Sequence, residues 1–420
     1  MSIRAFLIAL FLCLAAPVLA QVSPESAQKY QEGQELFQKR RHQDAIKAFE
    51  EAVKIDGKNA QAYQAIGITY QKLKDWQKAI EAHQMAATVK PDYAAAYYAV
   101  GEVQFQRLHD YEAAEKNFKK VLGIDPGFQE GKAQQYLKAA YLRQGGIYFR
   151  SRNYRKAVEQ YENASQLDPS DASAFYNLGL AHKAARNSRK ARETLQTAVD
   201  LDPTHDRAFE SLGDVYKNIQ QYSRAAANYH KAVAVAPGYL DAYLSLAEIY
   251  IEKTKQPEKA VAILRKAVSV PTKEVAAFYS KIKSRAKPQN KRSDAYRELG
   301  YAYAKQKNFK SAIANYRAAL KLTPKGNMIY FRMSEAYLES EDYQSAINMA
   351  SKAFHSRRYA IPAHIVAANA YEKLKPEGWQ EKAIRHYEKG LRDRRYQKHC
   401  EDKIDRIKNP MGSTEMGEAQ

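Results

Sequence analysis

FESLGDVYKNIQQYSRAAANYHKAVAVAP, residues 209–237, decides how the rest of the chain is read. It places Leu212-Gly213 after an aromatic, Phe209, then Tyr216, then Ala225, and ends on Pro237. Two antiparallel helices approach closely only where a small side chain admits a bulky one, and Gly213 and Ala225 supply that space from either side. Proline cannot continue a helix interior, so Pro237 separates this unit from the next.

The same frame recurs in both directions. Gly33, Gly67 and Gly101 stand 34 residues apart, as do Gly145, Gly179, Gly213 and Ala247, and then Gly300, Ser334 and Ala368. A second small residue follows each of them, at Ala45, Ala79, Ala114, Ala157, Ala191, Ala225, Ala260, Ala312, Ala346 and Ala383. Most units close on a proline: Pro91, Pro126, Pro169, Pro203, Pro237, Pro271 and Pro324. Aromatics such as Tyr63, Tyr97, Phe175, Tyr243, Tyr296 and Tyr330 fill the volume between helices. A fixed period of this length marks a stack of units, each packing only on its neighbours.

The segments at 175–203, FYNLGLAHKAARNSRKARETLQTAVDLDP, and 296–324, YRELGYAYAKQKNFKSAIANYRAALKLTP, repeat the pattern of 209–237. All three resemble a tetratricopeptide repeat, and the resemblance extends over roughly 26–395. It implies an all-α fold, a right-handed superhelical solenoid of antiparallel helix pairs, with about ten repeats.

The period divides the chain. Seven repeats are expected over 26–272, with an extra segment near 129–137 and one extra residue near His109. An insert at 273–292 reads as a short helix and a polar, proline-containing linker. Three repeats follow over 293–395, then a capping helix at 396–409 and a disordered tail at 410–420. At the other end, Arg4 precedes an apolar run from Ala5 to Val18 and small residues up to Ala20, which reads as a signal peptide over 1–20 cleaved after Ala20. The chain is thus expected to be exported, to a periplasm or beyond. An uncleaved membrane anchor is the alternative, for which this run is short of the ~20 residues that span a bilayer. Cleavage leaves one cysteine, Cys400, either buried or open to pairing between chains.

No catalytic, metal or cofactor motif emerges. The ten histidines are scattered, the glycines are taken up by the period, and no Gly-x-Ser-x-Gly elbow or phosphate-cradling loop occurs. These readings disfavour an enzyme and leave an interaction protein.

In the family resembled, the first helices of successive repeats line a groove that takes a peptide or protein segment. The resemblance places Tyr30, Tyr98, Phe105, Arg143, Tyr176, Asn177, Tyr301, Phe331 and Arg332 on that wall, with Gln64, Ile68, Glu102, Glu210 and Asp214 among others. Tyr30, Tyr98, Tyr176 and Phe331 share one offset and are read as free of packing duty, which suits them to bury a bound segment. The clamp for a C-terminal carboxylate is absent, since Asn177 has Leu142 and Gly146 where companions are needed. No asparagine ladder accompanies Asn177 either.

Charge is uneven. Residues 273–410 hold thirty Lys and Arg against fifteen Asp and Glu, which is +15 of the chain's +20. Lys281, Lys283, Arg285, Arg357, Arg358, Arg392, Arg394 and Arg395 form the candidate basic patch. For an exported chain such a patch points to anionic lipid or an envelope polymer rather than nucleic acid. The expected function is a non-catalytic scaffold within an envelope assembly, secretion or export machine, with anionic-surface binding as the alternative.

Overall fold

The computed structural model describes residues 22–409. The expected signal segment at 1–20 and the expected tail at 410–420 lie outside the described residues. Within them the chain is helical throughout, and none of its helices is long and apolar enough to cross a membrane.

Two compact units divide the chain, Met1–Leu201 and Asp202–Gln420. The insert at 273–292 falls inside the second unit. The first unit holds five helix pairs: α1 (Pro24–Gln38) with α2 (His42–Ile55), α3 (Ala60–Leu73) with α4 (Trp76–Val89), α5 (Ala94–Val103) with α6 (Tyr111–Ile124), α7 (Phe128–Arg150) with α8 (Tyr154–Leu167), and α9 (Ala172–Ala184) with α10 (Ser188–Leu201). The second holds α11 (Asp206–Asn218) with α12 (Tyr222–Val235), and α13 (Leu240–Glu248) with α14 (Pro257–Ser269). A single helix α15 (Thr272–Lys281) follows, then α16 (Pro288–Lys305) with α17 (Phe309–Leu322) and α18 (Asn327–Glu339) with α19 (Tyr343–Ala353). The pair α20 (Ala360–Leu374) and α21 (Trp379–Gly390) and the lone α22 (Gln397–Lys408) end the unit.

The pairs that carry a glycine at the repeat position are closed by one recurring contact. A β-carbon added at Gly33 would lie 2.5 Å from the ring of Phe49, one at Gly145 2.6 Å from Tyr161, one at Gly213 2.7 Å from Tyr229 and one at Gly300 2.7 Å from Tyr316. The partner comes sixteen residues after the glycine, or seventeen where Phe118 meets Gly101 past the extra residue, and it is a ring in most units; Leu195 takes the place opposite Gly179. The glycine is thus required by the ring that lies on it, while the second-helix alanines, such as Ala45, Ala79 and Ala225, are fully buried against the first helix.

Turns within pairs follow a second rule. A left-handed residue ends the first helix at Arg40, Lys74, Arg152, Arg186, Gln220, Lys307, Glu341 and Lys375. An Asp or Asn two or fewer residues on commonly caps the second helix: Asp75 accepts from the Lys78 amide at 3.3 Å, Asn153 from Lys156 at 3.3 Å and Asp342 from Ser345 at 3.1 Å. No glycine occupies those left-handed positions, so each carries the steric cost of a β-carbon there.

Insertions are absorbed locally. The extra residue near His109 widens the end of the first helix into a π-helical turn over Gln104–Leu108, and a second such turn at Ile249–Lys253 does the same before α14. The extra segment near 129–137 lengthens α7, after a left-handed kink at Gln129, Glu130 and Gly131. This extension ties the end of its own pair to the start of the next: Gln134 donates to the Leu167 carbonyl at 2.9 Å, and Lys138 bridges Asp168 and Asp171, each at 2.8 Å. Insert helix α15 packs on the loop before α13, where Phe278 stacks on Tyr239 at 4.4 Å and the Tyr279 hydroxyl donates to Asp241 at 3.0 Å. Cys400 on α22 is fully buried beside Gly390, so the burial alternative holds for it, and that burial raises its thiol pKa.

Candidate functional site

Among the described residues, first helices present a cleft within each unit. In the first unit a cleft of about 470 Å³ is lined from α3 and α5 by Gln64, Ile68, Gln71, Ala95, Tyr98 and Glu102. Lys72 and Trp76 close one side, and Gln106, Arg107, Gln129 and Lys132 the other. The π-turn and the left-handed kink thus deliver the amides of Gln106 and Gln129 to this cleft. Two other amides of the cleft, those of Gln64 and Gln71, are held by His83, which takes the place of the ring opposite Gly67 and is fully buried. Gln71 Nε2 donates to His83 Nε2 at 3.1 Å, and His83 Nδ1 faces Gln64 Oε1 at 2.7 Å. An amide nitrogen only donates and an amide oxygen only accepts, which puts the imidazole proton on Nδ1. Gln64 in turn donates to the Ala95 carbonyl at 3.3 Å. Burial pushes the His83 imidazole down to about 3, so it is neutral. Burial also raises the Glu102 carboxyl above its usual range, against the Tyr136 hydroxyl, Lys132 and Arg107.

In the second unit a cleft of about 560 Å³ has another character. Glu210 and Asp214 of α11, Asp241 and Glu248 of α13, Glu252 and Glu298 give it six carboxylates, beside Tyr239, Leu244, Ser245, Ile251 and Tyr301. Arg297 also lines it, held by Asp294 at 2.5 Å and Glu298 at 2.9 Å. Lys217 reaches Glu248 at 3.1 Å, and Lys291 reaches Asp241 at 2.5 Å. Three tyrosines hold carboxylates in place: Tyr229 donates to Asp214 at 2.7 Å, Tyr301 to Glu252 at 2.9 Å and Tyr279 to Asp241 at 3.0 Å. The Tyr301 ring takes the Arg332 guanidinium at 4.4 Å, and burial with the Glu252 bond pushes its phenol up to about 12.

Of the residues expected on a groove wall, the structure brings Tyr98 into the first cleft and Tyr301 into the second. Tyr30, Phe105, Arg143, Tyr176, Asn177, Phe331 and Arg332 line neither. The expectation that the shared aromatic offset is free of packing is corrected. Tyr98 is 9% exposed, Tyr176 6% and Phe331 8%. Tyr98 packs on Phe118 at 5.9 Å and Phe128 at 5.1 Å, Phe331 stacks on Tyr359 at 5.6 Å, and Tyr30 meets Phe49 at 5.7 Å. At this offset the side chain turns into the layer between neighbouring helices, so it is structural first. Phe105 likewise packs edge-on against Tyr111 and Tyr136, at 5.2 and 5.4 Å. Arg332 is engaged by Glu335 at 2.9 Å, and Arg143 is exposed.

Several cleft residues were missed in sequence: Gln71, Trp76, Gln106 and Gln129 in the first, and Asp241, Glu248, Glu252 and Glu298 in the second. One signal was available, since Glu248 follows Asp214 by a full period, directly after the small residue. The structure also joins His364 and His386, Nδ1 to Nδ1 at 2.9 Å, beneath Phe354. No group of three or more metal-ligating side chains forms among the described residues. The basic candidates Lys281, Lys283, Arg285, Arg357, Arg358, Arg392, Arg394 and Arg395 are all exposed, although Arg395 is tied to Asp393.

Helix pairs on a fixed period, closed by a ring on a glycine and open at their first-helix faces, define a repeat scaffold. The chain belongs to the tetratricopeptide-repeat family. Family models described as TPR repeat match residues 33–74 and 145–185, and models described as tetratricopeptide repeat match 65–127, 172–205, 220–282 and 293–325. Proteins of this family are protein-interaction scaffolds. The chain is 31% identical over 118 residues to the DnaJ homolog subfamily C member 7 homolog of Dictyostelium discoideum, covering 27% of this chain and 21% of that protein. It is 28% identical over 100 residues to the Hsp70-Hsp90 organizing protein of Triticum aestivum, covering 24% and 17%. It therefore spans about a fifth of the length of these relatives, from 17% to 21%. The crystal structure of the P58(IPK) TPR domain aligns over 91% of this chain and 97% of its own, at 17% identity and a TM-score of 0.32.

Proposed function

We propose that this chain is a non-catalytic scaffold that holds a peptide or protein segment against the first helices of its repeats, in an exported space such as the periplasm. A part in envelope assembly, secretion or export follows from the signal-like segment at 1–20 together with that role. The observation that carries the reading is the first-unit cleft, where amides held by a buried neutral His83 stand beside Trp76 and Tyr98. Preset amides satisfy a peptide backbone, and rings bury its side chains at little entropic cost.

The test is affinity capture with crosslinking from the native envelope fraction, comparing the mature chain with Ala95→Trp. Ala95 lines the cleft and is only half-buried, so tryptophan fills the space while the fold, checked by a melt, persists. The proposal expects a defined protein partner, lost with that variant. Equal capture by both would sink the cleft as the binding site.

A second reading, binding of anionic lipid or polymer, is favoured by the exposure of all eight basic candidates within 281–395. It expects retention on anionic vesicles that falls with salt and with charge reversal at Arg392 and Arg394.

A further inference from the structure

We propose that the second-unit cleft binds a cationic peptide segment of a partner protein, one that presents arginine or lysine. This rests on the scaffold reading above and names the chemistry of one of its sites.

The first argument is charge. Six carboxylates line the cleft, while Arg297 is its one lining cation and Lys217 and Lys291 reach in from the rim. This sits in a chain of formal charge +20, so composition does not account for it. A concave lining in which one sign predominates raises the local concentration of the opposite charge.

The second argument is a hydroxyl. Tyr229 lies on Gly213 and donates to Asp214, the next residue, which lines the cleft. Tyr316 lies on Gly300 in the same way, with a would-be β-carbon 2.7 Å from its ring. The residue that follows Gly300 is Tyr301, also in the cleft lining, and Tyr301 spends its hydroxyl on Glu252. The Tyr316 hydroxyl is consequently buried without a hydrogen-bond partner among the described residues, in the field of Arg332, Glu335, Glu298 and Tyr301. Tyr316 itself does not line the cleft, so the two units of this pattern differ in what the residue after the glycine offers: a carboxylate held by the ring beneath it at Asp214, and a phenol that holds a carboxylate itself at Tyr301.

The third argument is shape. The volume of about 560 Å³ lies in the range of ligand clefts rather than single-ion sites. Leu244, Ile251 and the rings of Tyr239 and Tyr301 offer apolar surface to the methylene stems of Lys and Arg, while the carboxylates meet their heads. Tyr301 already receives the Arg332 guanidinium on its face, which demonstrates that it suits such a head.

The experiment is fluorescence anisotropy on the full chain. The probes are three labelled peptides of equal length, alternating Ser with Arg, Gln or Glu. The Arg peptide is expected to bind most tightly and to weaken steeply with salt. The double variant Glu248→Gln/Glu252→Gln should weaken it tenfold or more. Ala95→Trp, in the other unit, should leave it unchanged. Equal affinities for the Arg and Gln peptides, or a double variant that binds as before, would overturn the inference. If the Gln peptide binds and is lost with Ala95→Trp, but Arg gains nothing, this inference fails and the scaffold reading stands. Salt-sensitive self-association abolished by the double variant would assign the cleft to a second copy and also overturn it.

Discussion

Among the repeats that line the first-unit cleft, the residue directly after the small residue is Ile68 or Glu102; among those that line the second-unit cleft it is Asp214, Glu248 or Tyr301. Both sets stand at one register position, on the open face of a first helix, and both line a cleft. What differs is the support beneath them. His83 in the first unit braces Gln64 and Gln71, which are neutral and suited to a peptide backbone. Tyr229 in the second braces a carboxylate, and α15 braces another through Tyr279 and Asp241. One scaffold thus changes the chemistry of its clefts by exchanging the second-helix ring and the residue that ring touches, without altering the period.

The comparison can be broken most sharply at the rings. Tyr229→Ala removes a fully buried ring and should cost about 3–5 kcal/mol, read as a lowered denaturation midpoint. A cost below 1 kcal/mol would show that the ring does not close its pair.

Acid should act next, through different groups in the two units. The His83 imidazole is pushed down to about 3 by burial, and that of His364 to about 4 by burial and by His386. Both are neutral when folded, while unfolded histidines take up a proton near 6.5. The unfolded chain therefore binds more protons over that window, and stability present above pH 6.5 is lost as pH falls towards 4 and then 3. Calorimetry above pH 6.5 and near pH 4 should show a melting temperature lower by several degrees in acid. His83→Phe, which keeps a ring on Gly67, should reduce the part of that loss belonging to the first unit.

The smallest effect concerns the turns that both units share. Arg186 is exposed and left-handed, and glycine adopts that conformation without a β-carbon clash. Arg186→Gly should stabilise by no more than about 1 kcal/mol, seen as a small rise in the urea midpoint. A loss of stability would mean that the Arg186 side chain does more than span the turn.

Much of this architecture was legible in the residues alone. A period of glycines, alanines and prolines determines helix pairs, because close helix approach demands small residues and proline cannot lie inside a helix. The helical character of the insert and the terminal helix were also readable. The candidate site was legible only in part. The offset shared by Tyr98, Tyr176 and Phe331 is visible in sequence, but whether it faces a partner or a neighbouring helix depends on layers that only packing brings together. The same holds for the pairing of His364 with His386, the orphaned Tyr316 hydroxyl, and a carboxylate cleft assembled from α11, α13 and α16. Sequence by itself determined the repeat, since that is a local pattern of side-chain size. Tertiary structure decided the clefts, since each is made of residues from different repeats, and their chemistry depends on what stands beneath them.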